Sequence, residues 1–165
     1  MTTTAATPTP PAADLTTRYV EADKATEKIL NPLVRWLTRR GVSLAGSRVL
    51  EVRGRTTGEW RSTPVNPLEL DGAEYLVAPR GHTQWVRNLR AAGWGRLRKG
   101  RRVVEFTAIE LPDRDKPEVL RAYLRRWKWE VGAFFDGLGP DASDEELLAV
   151  AAGYPVFRIT RLGSS

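Results

Sequence analysis

"RSTPVNPLELDGAEYLVA", residues 61–78, decides how the chain folds. Its second half, from Ala73, is an apolar strand-like run. Asp71-Gly72 before it is a two-residue hairpin signal, because the tight turns that suit twisted strands need backbone at positive φ. Residues 61–70 and 73–78 therefore read as antiparallel neighbours. Pro64 and Pro67 each lack a backbone N–H to give to a ladder, which confines the first of the two to an edge or a bulged segment.

Working outward, "RVLEVRG" (48–54) alternates and ends at glycine, as a strand does. "GRLRKGRRVVEFTAIEL" (95–111) reads as a second hairpin around Lys99-Gly100, its latter strand long and β-branched. "YPVFRITR" (154–161) is a closing strand. Helices are predicted over 83–92 and 116–131. "SDEELLAVAA" (143–152) opens a third, with Ser143 and Glu146 in capping-box positions.

Residues 15–40 also read as helix, interrupted near Asn31-Pro32. Ile29, Leu30, Leu33, Val34 and Leu37 recur at helical spacing, with Arg35, Arg39 and Arg40 opposite or at the C-terminal end. Such a helix either covers the core or lies on a membrane surface as a peripheral contact. Residues 1–14, a Thr/Ala/Pro tail, are expected to be disordered, leaving 15–165 as a single domain with an N-terminal amphipathic helix. Five or six mostly antiparallel strands with three or four helices make the class α+β, the sheet closing into a small barrel.

Composition narrows the chemistry. A chain of 165 residues with 41% hydrophobic residues and six tryptophans builds a core without staples. It has no cysteine, one histidine and no clustered carboxylates, which removes disulfides, thiolate catalysis and a plausible zinc site, and no metal is expected. There is no G-x-S-x-G elbow, Walker A loop or G-x-G-x-x-G turn. An enzyme built from this sequence must borrow its chemistry from a bound cofactor. No apolar run of about 18 residues exists, so no integral membrane segment is expected, and the protein reads as cytoplasmic.

The net charge of +6 is not evenly spread. Residues 53–102 hold eleven basic side chains against four acidic ones, a local excess of seven that suits an acidic ligand. Within this span two segments build a candidate site. In "GRTTGEWRSTPVNP" (54–67), Gly54 and Gly58 bracket Arg55, Thr56 and Thr57, so a tight turn presents hydroxyls, N–H groups and a guanidinium together. Arg61 lies just beyond. In "LVAPRGHTQWVRNLRAAG" (76–93), Arg80 precedes a helix start whose free N–H groups and dipole favour an anion. An anion attached to a planar group would account for the arginines and for Trp85.

Together, "GRTTGEWRSTPVNPLEL", "YLVAPRGHTQWVRNLRAAG", "RRVVEFTAIEL" and "YPVFRI" resemble the deazaflavin-dependent nitroreductase-like proteins of actinobacteria, in that family's order over most of residues 48–161. The resemblance implies a split β-barrel that binds coenzyme F420, a 5-deazaflavin carrying a phosphate and an acidic tail. It implies that Arg55, Thr56, Thr57 and Arg61 face the phosphate and tail. It places Ala78, Arg80, Trp85 and Asn88 around the cofactor, and Trp127 at the substrate. Many relatives carry lysine at the Thr56 position, and the segment after Arg80 is shorter here and contains His82.

The same residues have plainer readings. Trp85 and Trp127 are also candidates for the core, as are Trp129, Phe134 and Phe135. His82 is considered as a proton donor and disfavoured, because no carboxylate in its own loop orients it. The resulting expectation is a reductase moving a hydride from reduced coenzyme F420 to a small-molecule substrate such as an enone, quinone or nitro compound. An FMN-dependent reductase of the same fold, or a non-catalytic module holding a lipid or anionic metabolite, are the alternatives. Nucleic acid is not an expected partner, because an RNP-like aromatic pattern is lacking. Oligomeric state is not encoded legibly.

Overall fold

The computed structural model describes residues 14–20 and 47–163, with backbone alone over 128–133. Seven strands form one antiparallel sheet: β1 (Arg48–Arg53), β2 (Trp60–Val65), β3 (Leu68–Leu70), β4 (Ala73–Val77), β5 (Trp94–Lys99), β6 (Arg102–Glu110) and β7 (Val156–Arg161). The helices are α1 (Gln84–Ala92), α2 (Pro117–Val131) and α3 (Asp144–Val150). The fold is α+β, a half-barrel of split-barrel type.

The opening stretch departs from its expected form in one respect. Residues 61–70 are not one strand but two, and the break at Asn66-Pro67 sends them to opposite edges of the sheet. The strand order is β2-β1-β5-β6-β7-β4-β3, so consecutive strands β2 and β3 stand at its two ends. Three Cα–Cα steps join Val65 to Leu68, a reach of at most ~11 Å. Laid flat, seven strands at ~4.8 Å spacing would set those edges ~29 Å apart. The sheet therefore has to curl until its edges approach, and the two-residue link is what bends it into the half-barrel. Both prolines sit in or beside these edge strands, where a missing N–H costs no central ladder bond.

Alternation along the strands splits the core in two. Leu76, Phe157 and Ile159 face a cluster with Leu50, Val52, Leu97 and Phe106, which Val86 and Leu89 of α1 complete. Val77 and Val156, one residue out of phase, join Leu68 in a second cluster under Leu120, Tyr123, Leu124 and Trp127 of α2 and Leu147 of α3. The predicted capping box is present: the Ser143 hydroxyl accepts from Glu146 N at 3.1 Å, and the Glu146 side chain reaches back to Ser143. Helix α2 ends near its expected limit, with Trp127 in a non-helical conformation (φ −128°, ψ 19°).

The expected helix over 15–40 is corrected where it is described. Leu15–Thr17 form a single 3-10 turn, capped by the Asp14 carboxylate accepting from Thr16 N at 3.0 Å. The chain then runs extended, and Tyr19 pairs with Gly81 as an antiparallel bridge. Asp14 and two β-branched threonines favour a cap and a turn over continued helix. The rest of that helix, its apolar and basic faces, and the tail up to residue 13 lie outside the described residues.

Candidate functional site

The "GRTTG" turn closes through Gly54 N donating to Glu59 O (2.7 Å) and Gly58 N donating to Gly54 O (2.9 Å). It does not stand alone. Asn88 of α1, only 4% exposed, accepts at Oδ1 from both Arg55 N (3.2 Å) and Arg55 Nη1 (2.8 Å). The same Nη1 also donates to Gln84 Oε1 at 2.9 Å. Gln84 and Asn88 are one helical turn apart and share a face. The turn after β1 is thus fastened to the beginning of the helix that follows Arg80, and the two sequence segments meet. Gln84 went unnoticed in the sequence, although its four-residue spacing from Asn88 was the available signal.

Within the turn, Thr57 Oγ1 accepts from Glu59 N at 3.3 Å and so serves the turn itself. Thr56 is exposed. Arg61 pairs across the ladder with buried Val52, and cross-strand partners share a face, so Arg61 lies on the α1 side of the sheet. Its Cγ is 4.0 Å from the position a Gly54 Cβ would take. Its ion pair with Glu59 is long, 3.9 Å, and both side chains are mostly exposed, which leaves the guanidinium available to an incoming anion.

The start of α1 offers a second set of donors. Thr83 is the N-cap residue, but its side chain makes no capping bond, and its buried Oγ1 has no hydrogen-bond partner among the described residues. No acidic residue occupies the first turn. The first turn itself therefore supplies no counter-charge to the positive end of the helix. Trp85 is half-buried beside the first core cluster, its ring 6.0 Å from that of Phe157.

The remaining expected positions have the following surroundings. Arg80 donates through Nε to Val20 O at 2.8 Å and stands over the Tyr19 ring at 5.8 Å. Ala78 is 1% exposed, with its N–H on Pro155 O (2.9 Å) and its carbonyl accepting from Gly81 N (3.2 Å). Trp127 is 1% exposed in the second cluster, packed on Tyr123 at 5.0 Å, and the structure does not bring it to the other candidates. Phe134 and Phe135 pack with that same cluster, and the side chain of Trp129 lies outside the described residues.

His82 is held on both sides. Arg90 Nη2 stands 3.4 Å from Nδ1, and Nε2 lies 3.1 Å from Ala152 O. With Arg90 donating, Nε2 carries the hydrogen and donates to the carbonyl. Arg90 is itself fixed by Glu110, through Nε at 2.8 Å and Nη2 at 2.6 Å. The loop itself, residues 78–83, carries no carboxylate, but Glu110 of β6 supplies one through Arg90. A ring with both nitrogens engaged is placed to brace the loop. His82→Gln is expected to leave the single-turnover rate of cofactor oxidation within about threefold of wild type, whereas a general acid would be worth roughly a hundredfold or more. Rapid mixing of the pre-reduced complex with acceptor across neutral pH measures this.

Two cationic segments, joined through Gln84 and Asn88, face an uncapped helix start beside a tryptophan. Residues 34–130, more than half of the chain, match the family model of the F420H(2)-dependent quinone reductases. The chain belongs to that family. It is an F420H2-dependent reductase, and its cofactor is coenzyme F420. The orphaned Thr83 hydroxyl, the free helix end and the arginines suit that cofactor's phosphate and acidic tail. Among solved structures, one described as an F420-H2-dependent reductase is 18% identical, with a TM-score of 0.49, covering 70% of this reductase and 94% of that chain. Another, described as a domain-swapped dimer, is 18% identical with a TM-score of 0.52, covering 83% and 100%. A NimC/NimA family protein from Clostridium acetobutylicum is 14% identical with a TM-score of 0.45, covering 79% and 81%. These likenesses concern the fold. No curated protein matches the sequence of the reductase. Among its described residues no helix is long and apolar enough to cross a membrane, and no cluster of potential metal ligands is found.

Proposed function

We propose that the protein reduces a quinone by two electrons at the site between the "GRTTG" turn and α1, with enones and nitro compounds of the nitroreductase-like relatives as further acceptors. The observation that carries this reading is Arg55 bound to both Gln84 and Asn88, which unites the two cationic segments over one helix start. Arg55, Thr56 and Arg61 hold the phosphate and acidic tail, and Arg80 with Thr83 and the first N–H groups of α1 hold the rest of the charge. Trp85 borders the planar ring. When bound in its reduced form, the deazaflavin supplies hydride chemistry, which explains the lack of any need for cysteine or metal. The protein orients the two partners. Hydride and one proton together convert quinone to quinol, and the proton comes from solvent, because His82 is committed to Ala152 and Arg90.

Anaerobic mixing of the protein with reduced coenzyme F420 and a soluble quinone tests this. Return of the oxidised deazaflavin absorbance, dependent on protein and acceptor together, is expected. Cofactor binding without oxidation by quinone, enone or nitro acceptor would instead make the protein a binding module.

A further inference from the structure

The loop that carries Arg80 does not hold itself in place. Arg18, sixty-one residues away in sequence, donates through Nη1 to Pro79 O at 3.0 Å and to Gly153 O at 3.1 Å. Its Nη2 donates to Phe134 O at 2.7 Å. One guanidinium thus joins the loop after β4, the turn before β7 and the turn after α2. Its flat face lies 4.2 Å from the ring centre of Tyr154, whose hydroxyl donates to the same Phe134 O. Burial raises the Tyr154 phenol above its usual range, so the ring beneath the cation stays a donor.

The backbone around Arg18 is equally committed. Arg18 O accepts from His82 N at 2.8 Å, and Val20 N donates to Arg80 O at 2.8 Å, while Arg80 Nε returns a bond to Val20 O at 2.8 Å. Two glycines make room. A Cβ on Gly81, whose φ is +88°, would stand 2.1 Å from Arg18 O, and one on Gly153 would stand 2.9 Å from Arg18 Cδ. No carboxylate pairs with this guanidinium through a described ion pair. Its donors go to carbonyls of three segments, a use that suits a planar, pre-organised fork.

We propose that Arg18 is a positioning residue for cofactor binding: it sets the Arg80 loop, and with it the start of α1, in the geometry that receives the cofactor's anionic groups. This rests on the site reading above. Residues 14–20 act as a strap across the back of the loop, and binding at the site is coupled to the seating of that strap.

The test compares wild type, Arg18→Ala, Arg18→Lys, Arg80→Ala and the Arg18→Ala/Arg80→Ala pair by titration with coenzyme F420, at a temperature where each is fully folded. Arg121→Ala, which removes an arginine bound to Ala142 O and Asp144, is the control for general destabilisation. Arg18→Ala is expected to weaken binding roughly tenfold, the scale of a typical coupling between two sites. The double variant is expected to lose less than the product of the two single losses, because both act through one loop. Arg18→Lys, keeping the charge without the fork, recovers little of the affinity. Unchanged affinity in Arg18→Ala, losses that simply multiply, or full recovery by Arg18→Lys would overturn the proposal. If Arg18→Ala does not fold, Arg18→Lys decides it alone. If Arg80→Ala itself leaves binding at the wild-type level, the site reading fails instead.

Discussion

Trp127→Ala lowers folding stability by about 3–5 kcal/mol and leaves the affinity of the folded protein for coenzyme F420 unchanged. The tryptophan is 1% exposed, packed on Tyr123 and enclosed by α2, α3 and the β3–β4 end of the sheet. Truncation removes its transfer energy and leaves a cavity that a kinked helix segment fills only in part. Against a total stability of about 5–15 kcal/mol, such a loss is large. Urea unfolding followed by circular dichroism measures it, and Trp127→Phe, which keeps most of the buried area, should lie much closer to wild type. A Trp127→Ala variant with an unchanged midpoint and a raised KM for acceptor would return this residue to the substrate face that the family resemblance implied.

Arg61→Ala has the opposite profile. The side chain is 63% exposed, and its ion pair with Glu59 is long, so its removal leaves apo stability almost untouched. Affinity for coenzyme F420 is expected to fall roughly ten- to a hundredfold, the loss of about 1.5–3 kcal/mol carried by a charge-assisted bond. Calorimetric titration beside a thermal melt separates the two quantities. Arg80→Ala should differ in kind, because Arg80 Nε also bonds Val20 O. Its apo form loses about 0.5–1.5 kcal/mol as well. An Arg61→Ala protein with a shifted melt and unchanged affinity would remove Arg61 from the site.

The site was legible in the sequence as types of residue but not as contacts. Glycines around "RTT", an arginine before a helix and a local excess of cations pointed to a candidate anion site, because backbone donors and charge are local properties. What holds that site together is long-range. The family resemblance implies Asn88 at the cofactor, and nothing in the sequence says that its Oδ1 also binds Arg55, thirty-three residues earlier. Arg18 gave no signal, since its partners are backbone carbonyls, which any sequence supplies. The fold shows the same division. The hairpin at Asp71-Gly72 and the cap at Ser143 follow from local chemistry. The parting of β2 from β3 at Asn66-Pro67 does not, for a proline pair marks an edge without saying which edge.

The joined cationic segments are proposed to select a polyanionic deazaflavin. Titration of the apo protein with coenzyme F420 and with FMN, at low and at physiological ionic strength, tests this most directly, with tryptophan quenching as the readout. Coenzyme F420 is expected to bind much more tightly than FMN and to weaken as salt screens its acidic tail. Equal affinity for the two, indifferent to salt, would mean that these segments do not recognise the acidic tail.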